Sequence, residues 1–211
     1  MFDILRQNQD GCNADERETP GHIRVHVLTE VGAEPLGPAA ISVIKRAASR
    51  FKACGIEVIP KRLPGDVPAV DDLLKLILCH DMARHHGGDR DREGDRMSRR
   101  VRSMIDRGRK ITPLEYEDAC ARALEIASHL EDVIQPGGLF LAAATIDVAP
   151  PATQGTGSRA PQRLWTLAGM PAITVPYGKA EGLPIGVQLI ARRGNDDLVL
   201  STAQLLGQDR R

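Results

Sequence analysis

Apolar and polar positions alternate over Ile23-Arg24-Val25-His26-Val27 and then run together at Leu28, the pattern of a strand sinking into a sheet. On that reading His22 and His26 lie at an edge or on an outer face. After Pro38, which suits a first helical turn, Ile41, Ile44, Ala48 and Phe51 recur at steps of three and four until Gly55 supplies a left-handed C-terminal cap. Ile56-Glu57-Val58-Ile59 then predicts a second strand. Strand, amphipathic helix and strand in this order predict a right-handed crossover between two parallel strands, and hence an α/β sheet.

Beyond a turn at Pro64-Gly65-Asp66, residues Asp71 to His86 place Leu73, Leu74, Ile77, Leu78 and Met82 on one helical face, and Gly87-Gly88 is expected to end that helix. Charged turns and a short arginine-rich helix follow. Thr112-Pro113-Leu114-Glu115 reads as a capping box opening a helix to about Ile134, which buries Ala119, Ala123, Ile126, Leu130 and Val133 before Pro136-Gly137-Gly138 breaks it. Leu139 to Ala144 predicts a buried strand, and Val148 to Pro161 a proline- and glycine-rich loop. Ala172-Ile173-Thr174-Val175 and Ile185 to Ile190 predict a hairpin joined across Gly178 to Pro184. Asn195-Asp196-Asp197 caps a last helix carrying Leu198, Val199, Ala203 and Leu206. This divides the chain into a polar N-terminal linker over 1–22 and one domain over 23–211.

Composition narrows the function classes. With 28 basic and 28 acidic side chains in 211 residues, the formal charge is zero, so the broad field that nucleic acid or an anionic membrane would exploit is missing. Aromatic residues make up 3% of the chain, too few for stacking platforms on single strands. Neither nucleic acid nor membrane is therefore expected as a partner. No apolar run approaches the roughly 20 residues of a membrane span, and Met1-Phe2-Asp3-Ile4-Leu5-Arg6 lacks a signal peptide's apolar core. A cytoplasmic location is expected, with Cys12, Cys54, Cys79 and Cys120 as reduced, scattered thiols.

Several groups have a chemical look and a plainer reading. His80-Asp81 with His85 and His86 resembles a metal pair, but such a site needs ligands from other helices, and the histidines read as the polar side and frayed end of a helix. Arg96, Arg99, Arg100, Arg102, Arg107, Arg109 and Lys110 form a basic cluster interleaved with Asp89, Asp91, Glu93, Asp95 and Asp106, which reads as a solvated helix with local pairing. Ser158 sits on a glycine-rich loop without a base nearby in sequence. Trp165 reads as core rather than pocket lining, with Thr166 and Gln188 able to satisfy buried backbone groups. No cofactor or metal site is expected.

The segment Trp165-Thr166-Leu167-Ala168-Gly169-Met170-Pro171-Ala172-Ile173-Thr174-Val175-Pro176, followed by Gly182-Leu183-Pro184-Ile185-Gly186-Val187-Gln188-Leu189-Ile190, closely resembles the C-terminal part of the amidase signature family. Val148-Ala149-Pro150-Pro151 before Thr156-Gly157 is similar to the family's loop after a core strand, and Ile111-Thr112 to Tyr116 to the start of its long helix. The strand, helix and strand from Ile23 to Pro60 fit as well. The glycines and prolines have scaffold roles: Gly169 lets a helix end close to the next strand, Pro171 and Pro184 start strands, and Gly186 permits tight packing. The fold implied is α/β, a partial mixed sheet flanked by helices, the C-terminal portion of an amidase-signature fold.

The resemblance implies hydrolysis of carboxamide C–N bonds by a serine nucleophile, a bridging serine in a cis peptide and a buried neutral lysine, all in the family's N-terminal half. This chain has no Ser-Ser; its serines, Ser42, Ser49, Ser98, Ser103, Ser128, Ser158 and Ser201, are isolated, and its six lysines fall in amphipathic or turn contexts that imply exposure. No catalytic residue is therefore assigned, and a truncated or split amidase, inactive alone, is expected. The resemblance also aligns the arginine and aspartate with which the family's amidotransferase branch reads glutamine with Met104 and Arg159, which favours a general amidase ancestry. The expected partners are a separate amidase N-terminal half, or a second copy, and a small carboxamide substrate. The alternatives are a non-catalytic interaction module and a degenerate relic.

Overall fold

Strand β1 (Arg24–Leu28) is flanked on both sides by parallel neighbours, β2 (Glu57–Lys61) and β3 (Gly138–Ala143), with Val25 opposite Val58 in one and Leu139 in the other. In this computed structural model the described residues are 23–30, 34–63 and 70–207. The expected linker over 1–22, including His22 and Cys12, and the turn at Pro64-Gly65-Asp66 lie outside them. Helix α1 (Pro38–Ala53) makes the crossover from β1 to β2 and buries Ala40, Val43, Ile44, Ala47 and Phe51, while Ile41 and Ala48 flank that stripe half-buried. Gly55 follows with φ 76°, the left-handed geometry expected of it.

Three helices separate β2 from β3. α2 spans Val70–Glu93, α3 spans Arg99–Gly108 and α4 spans Pro113–Ile134. The capping box of α4 forms as its sequence dictates: Thr112 accepts the Glu115 amide at 3.3 Å, and the Glu115 carboxylate accepts the Thr112 amide at 2.8 Å. Hydrogen bonding to Thr112 holds the Glu115 carboxyl below its usual range. Helix α2 runs straight through Gly87-Gly88, against the expected stop. The reason is tertiary: Gly87 is buried, and the Arg109 guanidinium donates to its carbonyl at 2.8 Å, securing α3 across α2. A Cβ on Gly108 would collide with the Cys79 carbonyl, so glycine sets the close approach of the two backbones. Leu78, expected inside, is 45% exposed because the buried face runs through Val70, Leu73 and Cys79.

A further helix, α5 (Ala160–Ala168), begins in the last two residues of the expected loop, and Gly169 ends it with φ 63°. The hairpin is longer than its apolar runs imply: β4 (Ala172–Ala180) and β5 (Leu183–Ile190) turn through Glu181 and Gly182, both with positive φ. That is the geometry which keeps a two-residue turn in step with strand twist. Helix α6 (Asp196–Gly207) closes the described chain, burying Val199, Ala203 and Leu206.

The five strands form one mixed sheet in the order β2-β1-β3-β5-β4, with β5 antiparallel to both neighbours. Alternate strand residues feed two cores. Val25, Leu139, Val187 and Leu189 meet α1 and α6 on one face. Phe140, Ala142 and Ile190 meet α2, α4 and α5 on the other, where Trp165 is buried as expected, 5.5 Å from Phe140. His26 corrects its sequence reading. It is 4% exposed, with Nε2 3.0 Å from the Ile134 carbonyl, because β1 is an interior strand, paired on both sides, and both of its faces are covered.

Candidate functional site

The helix after β1 packs on one face of the sheet and the helix after β3 on the other, so the chain leaves these adjacent parallel strands in opposite directions. Such a divergence leaves a crevice outside the carboxyl ends of the strands, where open α/β sheets bind ligands. Here it is bordered by the segment before α1 and by the loop after β3. The Gly37 amide donates to the Ile146 carbonyl at 2.7 Å, and the Asp147 side chain occupies the space a Cβ on Gly37 would need. The Thr145 hydroxyl donates to the Asp147 carbonyl at 2.8 Å, and Asp147 Oδ1 accepts the Val148 amide at 3.0 Å.

Two glutamines fasten α5 to this rim. Gln188, buried on β5, donates to the carbonyls of Ala143 and Pro161, each at 2.7 Å, and Gln162 donates to the Ala144 carbonyl. The role for Gln188 was readable from its sequence, since a lone amide among apolar strand residues must find partners. The roles of Gln162, Asp147 and Gly37 depend on loop contacts without a periodic signal. On the same side of the molecule the β4/β5 hairpin overshoots: β3 ends at Ala143 opposite Val187, and Leu183 to Gly186 continue past it. The outer face of β4 carries Ala172, Thr174 and Pro176, all exposed.

No serine or lysine among the described residues is buried. All seven serines and six lysines lie among the described residues. Every lysine is exposed, as expected, and every serine is exposed except the half-buried Ser158. The Ser158 hydroxyl accepts the Ala160 amide at 3.1 Å and so shapes the start of α5. A proton-accepting lysine must be withdrawn from water, and none of the six is. Met104 is half-buried on α3, and Arg159 is exposed at the start of α5.

The histidine cluster differs from its sequence reading. Because α2 continues to Glu93, His85 and His86 lie within the helix rather than at a frayed end; both are exposed, and His86 is 3.3 Å from Asp89. His80 packs between helices, its ring stacked on Tyr116 of α4 with centroids 3.8 Å apart and Nδ1 3.4 Å from Asp81. The hydrogen bond to the Asp81 carboxylate pushes the Tyr116 phenol up to about 12, helped by burial and Cys120. The described residues contain no group of three histidine, cysteine or carboxylate side chains that could hold one ion. None of their helices is long and apolar enough to cross a membrane.

Comparison with known proteins agrees with the architecture. The amidase family matches residues 158–200, the stretch holding α5 and the hairpin. The A-type component of the glutamyl-tRNA(Gln) amidotransferase from Pseudothermotoga lettingae is 50% identical over 38 residues, 18% of this chain and 8% of its own length. AmiD of Mycobacterium tuberculosis, which carries the name of an amidase, is 28% identical over 120 residues, 51% of this chain and 25% of its own. A crystal structure of an amidase superimposes with a TM-score of 0.74 at 23% identity, covering 89% of this chain and 46% of that one. A bacterial aryl acylamidase of the amidase signature family gives 0.71 at 17% identity, covering 89% and 43%. The chain thus spans less than half the length of these solved relatives. Over α5 and the hairpin this chain is similar in sequence to amidases, and its mixed sheet with flanking helices shares the fold of solved amidase-signature structures over less than half of their length.

Proposed function

We propose that this chain is the C-terminal half of an enzyme that hydrolyses the C–N bond of small carboxamides. It builds the scaffold and one wall of the substrate pocket, while polypeptide outside these 211 residues supplies the serine nucleophile and the lysine base. The observation carrying this reading is the overlay itself: 89% of the chain follows 46% of an amidase, and the overlaid half has walls but no proton-accepting lysine. In acyl transfer the nucleophile attacks the carboxamide carbon, the base takes its proton, and charge grows on the carbonyl oxygen. The part left to this chain is to hold the amide beside the crevice between β1, β3 and the projecting hairpin. The same reading takes 23–211 as one domain and a cytoplasmic setting, where the free thiols Cys54, Cys79 and Cys120 stay reduced.

The test is complementation. The chain is mixed or co-expressed with an amidase N-terminal half encoded beside it, and ammonia or amine release is followed over a panel of aliphatic and aryl amides. Activity only in the mixture, with the acyl group trapped on the partner's serine, supports the proposal. A stable complex inert across the panel overturns it in favour of a non-catalytic interaction module. Turnover by the 211 residues alone overturns it as well.

A further inference from the structure

We propose that the outer face of α3 is a binding groove for a small molecule carrying two or three phosphate groups. The groove is open to solvent, has a volume of about 610 Å³, and is lined from α3 by Arg99, Arg102, Ser103, Asp106 and Arg107, with Lys110 beyond its end and Arg90 across on α2. Its volume lies within the range of small-molecule sites.

The pairing pattern singles it out. Five neighbouring arginines each have a carboxylate: Arg90 with Asp106 at 3.4 Å, Arg92 with Asp89 at 2.6 Å, Arg96 with Glu93 at 2.7 Å, Arg102 with Asp95 at 3.7 Å and Arg109 with Asp91 at 2.7 Å. Those pairs take up Arg96, Arg102 and Arg109 of the seven-residue basic cluster. Arg99, Arg100, Arg107 and Lys110 of the cluster have no such partner among the described residues, and Arg99, Arg107 and Lys110 line the one groove.

Arg99, Ser103 and Arg107 follow one another at four-residue steps along a single face. At 1.5 Å per residue that sets a cation, a hydroxyl and a cation about 6 Å apart over roughly 12 Å, a length the anionic oxygens of a short phosphate chain bridge with the arginine arms folded inward. At the N-terminal end of the face, helix polarity adds to the cost of leaving Arg99 without an anion, whereas Arg107 in the last turn is favourably placed. The first turn of α3 holds Arg99 and Arg100 and no acid, although the positive end of a helix favours anions. A helix serving only stability would place acids there. The Gly108 contact with Cys79 and the buried Ile105 fix the backbone of α3 against α2, so the stems of these side chains start from set positions.

The size and chemistry of the groove favour a small ligand over a nucleic-acid strand. No aromatic side chain lines it for base stacking, and the chain as a whole is electrically neutral.

The full chain is titrated calorimetrically with inorganic tripolyphosphate at two ionic strengths. Saturable binding of one ligand per chain, weaker at the higher salt, is expected. R99Q/R107Q weakens it about a hundredfold, tenfold for each charge-assisted hydrogen bond removed, with an unchanged circular dichroism spectrum. Arg92→Gln, whose pairing with Asp89 lies outside the groove, changes affinity less than about threefold, and Asp106→Asn tightens it. A nucleoside triphosphate binding at least as well as the inorganic chain supports the assignment. Absence of saturable binding, equal affinity in a folded R99Q/R107Q chain, or a random single-stranded oligonucleotide binding more tightly per phosphate overturns it.

Discussion

His26 Nε2 donates its proton to the Ile134 carbonyl at 3.0 Å, across 108 residues of sequence, and this fixes the tautomer of a buried imidazole. Nδ1 is then the deprotonated nitrogen, and it is buried with no hydrogen-bond partner among the described residues. Burial lowers the His26 pKa from 6.5, because the charged ring has no room for water.

Between the lowered folded value and the unfolded value near 6.5, the unfolded chain binds more protons than the folded one. Stability from His26 is therefore complete above pH 6.5 and is lost as the pH falls below it. Urea unfolding at pH 7.5 and 5.5 should show a drop in the wild type that is smaller in His26→Gln, which has no ring to protonate. Identical drops in both chains would remove His26 as the cause.

Gln188 closes two buried carbonyls at once, on β3 and at the start of α5. Gln188→Met keeps the volume and leaves both carbonyls unpaired, at an expected cost of about 1–3 kcal/mol. Chemical denaturation measures it, and a loss below about 0.5 kcal/mol would mean that neither carbonyl depends on this amide.

At Gly108 two effects oppose each other. Alanine improves helix propensity by about 1 kcal/mol, yet its Cβ meets the Cys79 carbonyl, and overpacking of this kind costs about 1–3 kcal/mol. Gly108→Ala should therefore destabilise, with faster amide exchange in α3 while the β1 and β3 amides keep their protection. A more stable variant would show that the helices move apart freely.

Thr112→Ala removes the side-chain acceptor at the start of α4 and should cost about 1 kcal/mol. Its pH signature follows from Glu115, whose depressed pKa contributes stability above the unfolded value of 4.5 and loses it as the pH falls through the folded one. Melting curves at pH 7 and 3 should therefore converge for wild type and variant on the acid side.

The outer face of β4 leaves Ala172, Thr174 and Pro176 uncovered, and β4 is hydrogen-bonded to β5 alone among the described strands. Strand edges of this kind recruit further strands. Light scattering coupled to gel filtration should find the isolated chain as oligomers, and a monomer that unfolds in one cooperative step would contradict this.

What could be read from the residues depended on whether the cause was local. The Thr112 box, the crossover from β1 to β2, the left-handed Gly55 and Gly169 and the paired apolar runs of the hairpin each follow from neighbours in sequence. The continuation of α2 through Gly87 required Arg109, twenty-two residues away, and the burial of His26 required β3 and α4. The hairpin extends past its apolar positions because the Glu181-Gly182 turn holds polar and small residues in register. The exposure of all six lysines followed from their amphipathic and turn contexts. The Gly37 to Ile146 hydrogen bond that shapes the rim of the crevice carries no periodic signature.

The strand order also has a consequence in time. β1 meets β2 after one short crossover, but its other partner, β3, lies more than a hundred residues away, beyond three helices. Closing so long an excursion is entropically slow. The β1-α1-β2 unit should therefore assemble early and wait, its second edge open, until the distant strand arrives to seal it.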